Sequence, residues 1–467
     1  MTTEEKIKQW MLGREDELVE ALTPLIAAES TMSEPLPGMP FGKGPAQALE
    51  RALALAKSWG FHTEDHQGYV GTADLNDKPD GLHILAHLDV VGAGDGWDTD
   101  PYTLVRDGDL IYGRGTNDDK GPLTAALLAM RCVRELGLPV SKNVRLIMGT
   151  DEETGSRDIA HYYKTHPFAP YALSPDADFP VTNIEKAHYS PRFSGSWEEK
   201  NLPGVRVLSV DGGIRTNVAP ANCVAVLKNG DLEQLRTVLT ETSRETGVAL
   251  TAEAEGENII ITAVGIQAHA STPDEGKNAI TAMLQALCQL PLAQGGAENC
   301  VRALHDLFPY GDNRGAALGI AMEDKVSGRL TLSFTILHLT QTGFEGRFDS
   351  RDPLCATPEN VCRATEARFA RCGWNCEGEM LPAHVVDGES DFIHTLLEAY
   401  ETFTGRKGYC EAIGGGTYVH EIPGGVAFGA GEHDFDSHLH GANERARLSQ
   451  LLKTACIYAL VISRLCA

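Results

Sequence analysis

Apolar positions along the first part of the chain switch between two spacings. AQALERALALAKSWG (46–60) places them at helical intervals and closes on Gly60, a residue suited to a helix C-terminus. GLHILAHLDVV (81–91) is a short, nearly unbroken apolar run, the pattern of a strand covered on both faces. KGPLTAALLAMRCVRELGLP (120–139) carries Pro122 in its first turn and Gly137 near its end, and predicts a helix. NVRLIMGT (143–150) predicts a second buried strand. Strand, helix, strand in that order implies a largely parallel sheet flanked by helices.

Beyond residue 190 the strand-like segments become more polar in alternation: VRVLSVDG, NCVAVLKN, ALTAEAEGENIIITAVG and GRLTLSFTILHLTQT. This is the pattern of antiparallel sheet with one exposed face. Helices are predicted between them at 231–247 and 278–290. The C-terminal stretch returns to the first style, with a helix at 391–405, a strand at 424–431 and a long helix at 444–465. The organisation expected is an α/β domain made from both ends of the chain, residues 1–185 and 384–467, with an α+β domain, 186–383, inserted between them. No short-period repeat or low-complexity tract interrupts it.

A length of 467 residues suits two or three domains. Forty Lys and Arg against 65 Asp and Glu give a formal charge of -25, which argues against a nucleic-acid partner. The N-terminal MTTEEKIKQWMLGREDELVEAL lacks the basic start and apolar stretch of a signal peptide and reads as an amphipathic surface helix. No window approaches 18 uninterrupted apolar residues, so no membrane span is expected. Eleven cysteines, an odd and scattered count, make a poor disulfide framework and suit a reducing cytoplasm. Cys372 and Cys376 have no second such pair to complete a metal site and read as structural.

The chemistry gathers after the predicted strands. His87-Leu88-Asp89 ends the strand 81–91 with an imidazole and a carboxylate two residues apart, hence on one face, and an adjacent carboxylate is how a ligating histidine is oriented. A buried histidine with a surface aspartate is the alternative. GRGTNDDKGP (113–122) holds Asp118 and Asp119 before a helix start, where N-capping explains one of them. GTDEETG (149–155) sets Asp151, Glu152 and Glu153 side by side, and such crowding pushes carboxyls toward neutrality unless a cation is near. LSPDADFP (173–180) adds Asp176 and Asp178, and GAGEHDFDSHLHGANE (429–444) adds His433, His438 and His440. Strand ends converge in an α/β sheet, and mixed imidazole and carboxylate donors suit zinc, manganese or cobalt.

These motifs, in this order, resemble the dinuclear zinc peptidases and deacylases of clan MH, and within them the PepV-type dipeptidases. The resemblance runs over essentially the whole chain, including GGIRTNVAP (212–220), AHASTPDEGKNA (268–279) and IGGGTYVHEIPGGVAFGAG (413–431). It implies two zinc ions per chain, with manganese or cobalt as substitutes. His87 and Asp176 would hold one ion and Glu153 and His440 the other, with Asp118 bridging. Asp118 is chosen over Asp119 because Lys120-Gly121 sets the register, and His440 over its neighbours because of the spacing to Asn443-Glu444. Asp89 would orient His87, and Glu152 would be the general base.

The resemblance also implies hydrolysis of dipeptides with a free amino terminus, Xaa-His among them, beneath a lid formed by the inserted domain. N-acyl amino acid deacylation on the same metals is the alternative, and a silent scaffold is disfavoured because Glu152 and all five ligand positions are present. His269 would face the oxyanion, although alone it would read as structural. Asn217 and Arg351 would contact substrate; Arg351 could instead pair with Asp349 or Asp352. Gly415, Gly416 and Thr417 of GGGT offer donors to the substrate carboxylate, or form a tight turn. The long insertion implies a monomer. Three positions depart from the family pattern: Gly92 replaces a proline, Val419-His420 stand where an arginine is usual, and DSRDP (349–353) replaces DIRYP. The last two put the dipeptide preference in question.

Overall fold

The computed structural model describes residues 1–200 and 202–467, and the chain divides into two compact units. The first comprises residues 1–184, 384–411 and 416–467, the second 185–383 and 412–415. Segment 412–415 was expected with residues 384–467. It groups with the insertion because Gly414 is packed there, where an added Cβ would lie 2.9 Å from Ser271 Cβ and 3.3 Å from Arg351 Cβ.

The first unit is α/β around a nine-stranded sheet. Its centre runs Asn143–Gly149, Asp80–His87, Tyr171–Ser174, Val426–Ala427, all parallel, while the flanking strands Val70–Asp74 and His62–His66 are antiparallel. Ile84, Leu85, Leu146 and Ile147 are fully buried, as continuous apolar strands demand. Helices Lys120–Glu135 and Leu448–Leu465 pack on one another in the same core. The latter is long and apolar enough to cross a membrane by composition, but Leu451, Ala455, Ile457 and Val461 are buried in that core. Parallel pairing sets His87 opposite Gly149, so the two central strands release their loops at the same level.

The second unit holds a ten-stranded sheet with antiparallel pairing. Residues of strand Asn222–Lys228 alternate between exposed and buried, and helices Leu232–Thr246 and Ala279–Cys288 pack on the sheet. Phe193, Phe308, Phe334, Phe348 and Phe369 fill its core. The pair Thr331–Thr340 and Gly343–Asp352 carries Arg351 near its end.

Several expected boundaries move. The strand expected over 81–91 stops at His87: Leu88 N–H still bonds to Gly149 O, but Val90 N–H turns to Ser30 O, outside the sheet. The N-terminal helix divides at Gly13 (φ +76°) into Thr3–Met11 and Glu15–Ile26. Residues 424–431 form two short strands, Val426–Ala427 and Ala430–Gly431, and the last helix starts at Leu448 after strand Arg445–Arg447.

Candidate active site

In the first unit, five of the expected residues meet. His87 Nε2 lies 2.9 Å from Asp118 Oδ1 and 3.7 Å from Asp176 Oδ2. His440 Nε2 lies 2.9 Å from Asp118 Oδ2 and 3.3 Å from Glu153 Oε1. Asp118 therefore turns one oxygen to each imidazole. His87, Glu152 and Asp176 each offer a ligand atom within 4.8 Å of the others, as do His87, Asp118 and Glu153. His433 and His438 do not join them. His433 sits between Asp178 (3.0 Å) and Glu411 (3.1 Å), and His438 Nδ1 donates to Ala442 O at 3.0 Å.

The charge balance is lopsided. Asp89, Asp118, Asp119, Glu152, Glu153 and Asp176 surround two imidazoles. Lys120, adjacent in sequence, is buried with Nζ donating to Ala28 O at 2.9 Å, and burial pulls its pKa down to about 7. Burial, reinforced by neighbouring carboxylates, holds Glu152 and Asp176 well above the usual carboxyl range and pushes Asp89 up to about 7. Burial opposes charge on His440, yet the accepting carboxylates of Asp118 and Glu153 raise it to about 11, and His87 rises likewise through Asp118. Asp118 alone is held low: burial would raise it, but the two imidazoles outweigh that. Glu153 Oε1 is buried without a well-formed hydrogen bond. Two imidazoles and three carboxylates, one of them shared, fit a pair of divalent cations of the zinc class, with Glu152 left over.

The loops carrying these groups are held by buried carboxylates. Asp158 Oδ2 accepts from Thr150 N (2.6 Å) and Asp151 N (3.0 Å); Asp89 accepts from Glu152 N (3.1 Å) and Glu153 N (3.0 Å). Asp89 was expected to orient His87 with its carboxylate. Because the strand has already ended, His87 Nδ1 donates instead to Asp89 O at 2.9 Å, and the nearer carboxylate oxygen is 3.6 Å away. Asp151, which the sequence left without a role, accepts from Arg157 N (3.1 Å), Arg157 Nε (2.7 Å) and the Thr154 hydroxyl. Asp119 Oδ2 accepts from His87 N at 3.1 Å.

Sequence reasoning used Glu444 only as a register mark. In the fold it is fully buried, accepting from Gly115 N (3.1 Å), Asn117 N (2.9 Å), Asp118 N (3.2 Å) and Arg114 Nη1 (2.7 Å). It shapes the loop that presents Asp118.

The second unit gathers the expected substrate residues that belong to it. Asn217 is exposed, and its backbone O accepts from Ala270 N at 2.9 Å, beside His269. His269 Nδ1 accepts from Ser271 N (3.3 Å) and meets Ser271 Oγ at 2.6 Å, which places the ring proton on Nε2. Arg351 is bound side-on by Asp349, Nε to Oδ1 at 2.7 Å and Nη2 to Oδ2 at 3.0 Å, and Nη1 donates to Gly414 O at 2.7 Å. Asp349, not Asp352, is thus its ion-pair partner. Gly415 also belongs to this unit, whereas Gly416 and Thr417 belong to the first, where Thr417 Oγ1 accepts from Val419 N at 3.3 Å. None of Gly414, Gly415 and Gly416 has positive φ, so the run is not a left-handed turn.

Two departures from the family pattern answer each other. Ser350 Oγ lies 3.2 Å from Asp352 Oδ2, and both alternate away from Arg351 on the strand. At Gly92 an added Cβ would meet nothing within 4 Å, so that position tolerates either residue sterically.

Comparison with known proteins places this geometry. The sequence profile of peptidase family M20/M25/M40 matches residues 83–464. YtjP of Bacillus subtilis (strain 168) is 32% identical over 464 residues, 97% of this chain and 98% of the relative. The Beta-Ala-Xaa dipeptidase of Lactobacillus delbrueckii subsp. lactis is 32% identical over 463 residues, 98% of each. Among solved structures, human carnosine dipeptidase 1 superposes with a TM-score of 0.58 at 16% identity, covering 100% of this chain and 99% of the other.

Proposed function

The chain belongs to peptidase family M20/M25/M40 and is a peptide-bond hydrolase, and from that premise we propose that it is a dinuclear zinc dipeptidase acting on dipeptides with a free amino terminus, of Xaa-His or broader preference. One observation carries the reading: Asp118 offers one oxygen to His87 and the other to His440, each at 2.9 Å, with Asp176 and Glu153 beyond them. His87 and Asp176 would hold one ion, His440 and Glu153 the other, and Asp118 both. The ions, when bound, supply Lewis-acid polarisation of the scissile carbonyl and a more acidic water.

Glu152 does the proton work. Its backbone N–H is held by Asp89, and in the proposed ligand set its carboxylate is not spent on an ion, which leaves it free to take and return a proton. Water oxygen bonds to the carbonyl carbon as its proton passes to Glu152; the carbon–nitrogen bond then breaks as that proton moves to the leaving amine. His269, with its proton on Nε2, is assigned as the donor to the tetrahedral oxyanion. Arg351, its side-on edge already taken by Asp349, is assigned to the peptide's free carboxylate, with Gly415, Gly416 and Thr417 as backbone donors and Asn217 as a further contact. The second unit is assigned as the lid of a monomeric enzyme.

The test is a panel of free dipeptides, tripeptides and N-acyl amino acids, assayed with zinc, manganese and cobalt. Turnover confined to free dipeptides is expected. Cleavage of N-acetyl or N-succinyl amino acids with dipeptides untouched would replace the reading with a deacylase.

A further inference from the structure

The strand Asn143–Gly149 ends two residues short of the two glutamates, and the four residues after it, 150–153, lie outside any strand. Their N–H groups are nonetheless all held, Thr150 and Asp151 by Asp158, Glu152 and Glu153 by Asp89. Asp89 comes from the neighbouring strand's exit. Asp158 comes from helix Arg157–Tyr162 and is itself fully buried. Its Oδ2 takes a third donor, the hydroxyl of Tyr418, at 2.5 Å. Tyr418 is 1% exposed and directly follows Thr417.

Gly149 bears the mark of this arrangement. An added Cβ there would lie 1.9 Å from the Tyr418 hydroxyl and 2.5 Å from Asp158 Oδ2, while its φ is not positive. Glycine stands at 149 because the hydroxyl and carboxylate occupy the space a side chain would need.

We propose that Asp158 and Tyr418 are positioning residues for the reaction: Tyr418 orients Asp158, Asp158 fixes the first half of the 150–153 turn, and together with Asp89 they set Glu152 and Glu153 to their separate tasks. The inference rests on the assignment of Glu152 as base and Glu153 as ligand. Adjacent residues differ in direction only through the backbone between them, and a displacement of about 1 Å at such a centre costs roughly 100-fold in rate. The hydroxyl also ties the segment carrying Thr417 to the segment carrying the base, so that substrate-side and proton-transfer residues share one rigid support.

Tyr418→Phe and Asp158→Asn in the full-length chain test this. Tyr418→Phe removes a single oxygen and carries the test if Asp158→Asn does not fold. Amide hydrogen exchange is followed in the metal-free protein, and zinc affinity is measured by competition with a chromophoric chelator. Exchange at 150 and 151 is expected to quicken about 10-fold or more while strand Asp80–His87 stays protected. In the zinc-loaded enzyme, kcat should fall roughly 10–100-fold with KM within about twofold, and zinc should bind about 10-fold more weakly. Wild-type exchange at 150–153, or faster exchange with wild-type kcat, overturns the proposal; so does a rise in exchange spread evenly over the unit. If the unmodified chain hydrolyses no dipeptide, the assigned function fails, whereas the exchange contrast in metal-free protein still decides whether the clamp exists.

Discussion

Two groups of buried carboxylates in this protein meet the same electrostatic problem in opposite ways. In the second unit Asp349 is fully buried but brings its own partners: the Arg351 guanidinium at 2.7 Å and the His188 ring, hydrogen-bonded at 2.8 Å. Burial would raise its pKa, and these partners hold it below the usual value instead. In the first unit, six acids share two imidazoles, and Glu152, Asp176 and Asp89 are all pushed upward. A cluster that brings its own cation is settled, and what remains of Arg351 can address an anion from outside. The other cluster, unfinished in that sense, sets six carboxyls against two imidazoles, a donor set that suits divalent cations. On the proposed reading, one region serves substrate charge and the other metal.

The strongest way to break this contrast is at the unfinished cluster. Glu152→Gln keeps shape and removes the proton acceptor; kcat is expected to fall about 100- to 10,000-fold while two metal ions per chain are retained by elemental analysis. Loss of metal together with activity would make Glu152 a ligand instead. At the settled cluster the effect should be smaller and of another kind. Arg351→Lys keeps the charge but loses the planar fork, so KM for dipeptides is expected to rise about 10–100-fold with kcat within a few-fold. An unchanged KM would remove Arg351 from carboxylate recognition.

How far each cluster could be read from the sequence follows from where its partners lie. His87, Asp118, Glu153, Asp176 and His440 each end a strand or open a loop in a recognisable local motif, so their types and order were visible. The supports were not. Asp158 meets Tyr418 across 260 positions and Arg114 meets Glu444 across 330, and both carboxylates act on backbone N–H groups, which leave no trace in residue identity. The same holds for the fold. Buried parallel strands such as Asn143–Gly149 show as apolar runs of several residues, and long helices such as Leu448–Leu465 carry a period. Two-residue strands such as Val426–Ala427 and Ala430–Gly431 are too short to carry one.

A third expectation concerns the pH dependence of the metal-free protein. Asp89, Glu152, Asp176, His87 and His440 all have pKa values raised by the fold, so the native chain binds more protons than the unfolded chain across the neutral range. Their contribution to the stability of the metal-free protein falls as pH rises from about 5 to 8.5, since ∂ΔG/∂pH follows protons bound unfolded minus native, with Lys120, lowered to about 7, offsetting part of it above that pH. Zinc displaces those protons, so the loaded protein should show a flatter Tm over the same range, and calorimetry in buffers of different ionisation enthalpy should register proton release on binding. A metal-free Tm that stays level with pH would contradict the charge balance drawn here.

The smallest effect is expected where a motif departure looks most provocative. Asp352 stands where the family pattern has tyrosine, directly after Arg351, yet the strand turns it to the opposite face, where it meets Ser350 at 3.2 Å. Burial pushes its pKa up to about 7, and its Oδ1 has no hydrogen-bond partner. A raised carboxyl stabilises the fold below its unfolded pKa and gives that up as pH climbs through about 7. Asp352→Asn should therefore leave Tm unchanged near pH 4 and raise it by roughly 2–4 °C at pH 8, with KM and kcat for every dipeptide as in the parent. A shift in KM would mean that Asp352 reaches Arg351 through the strand, and the settled cluster would then extend to both of its faces.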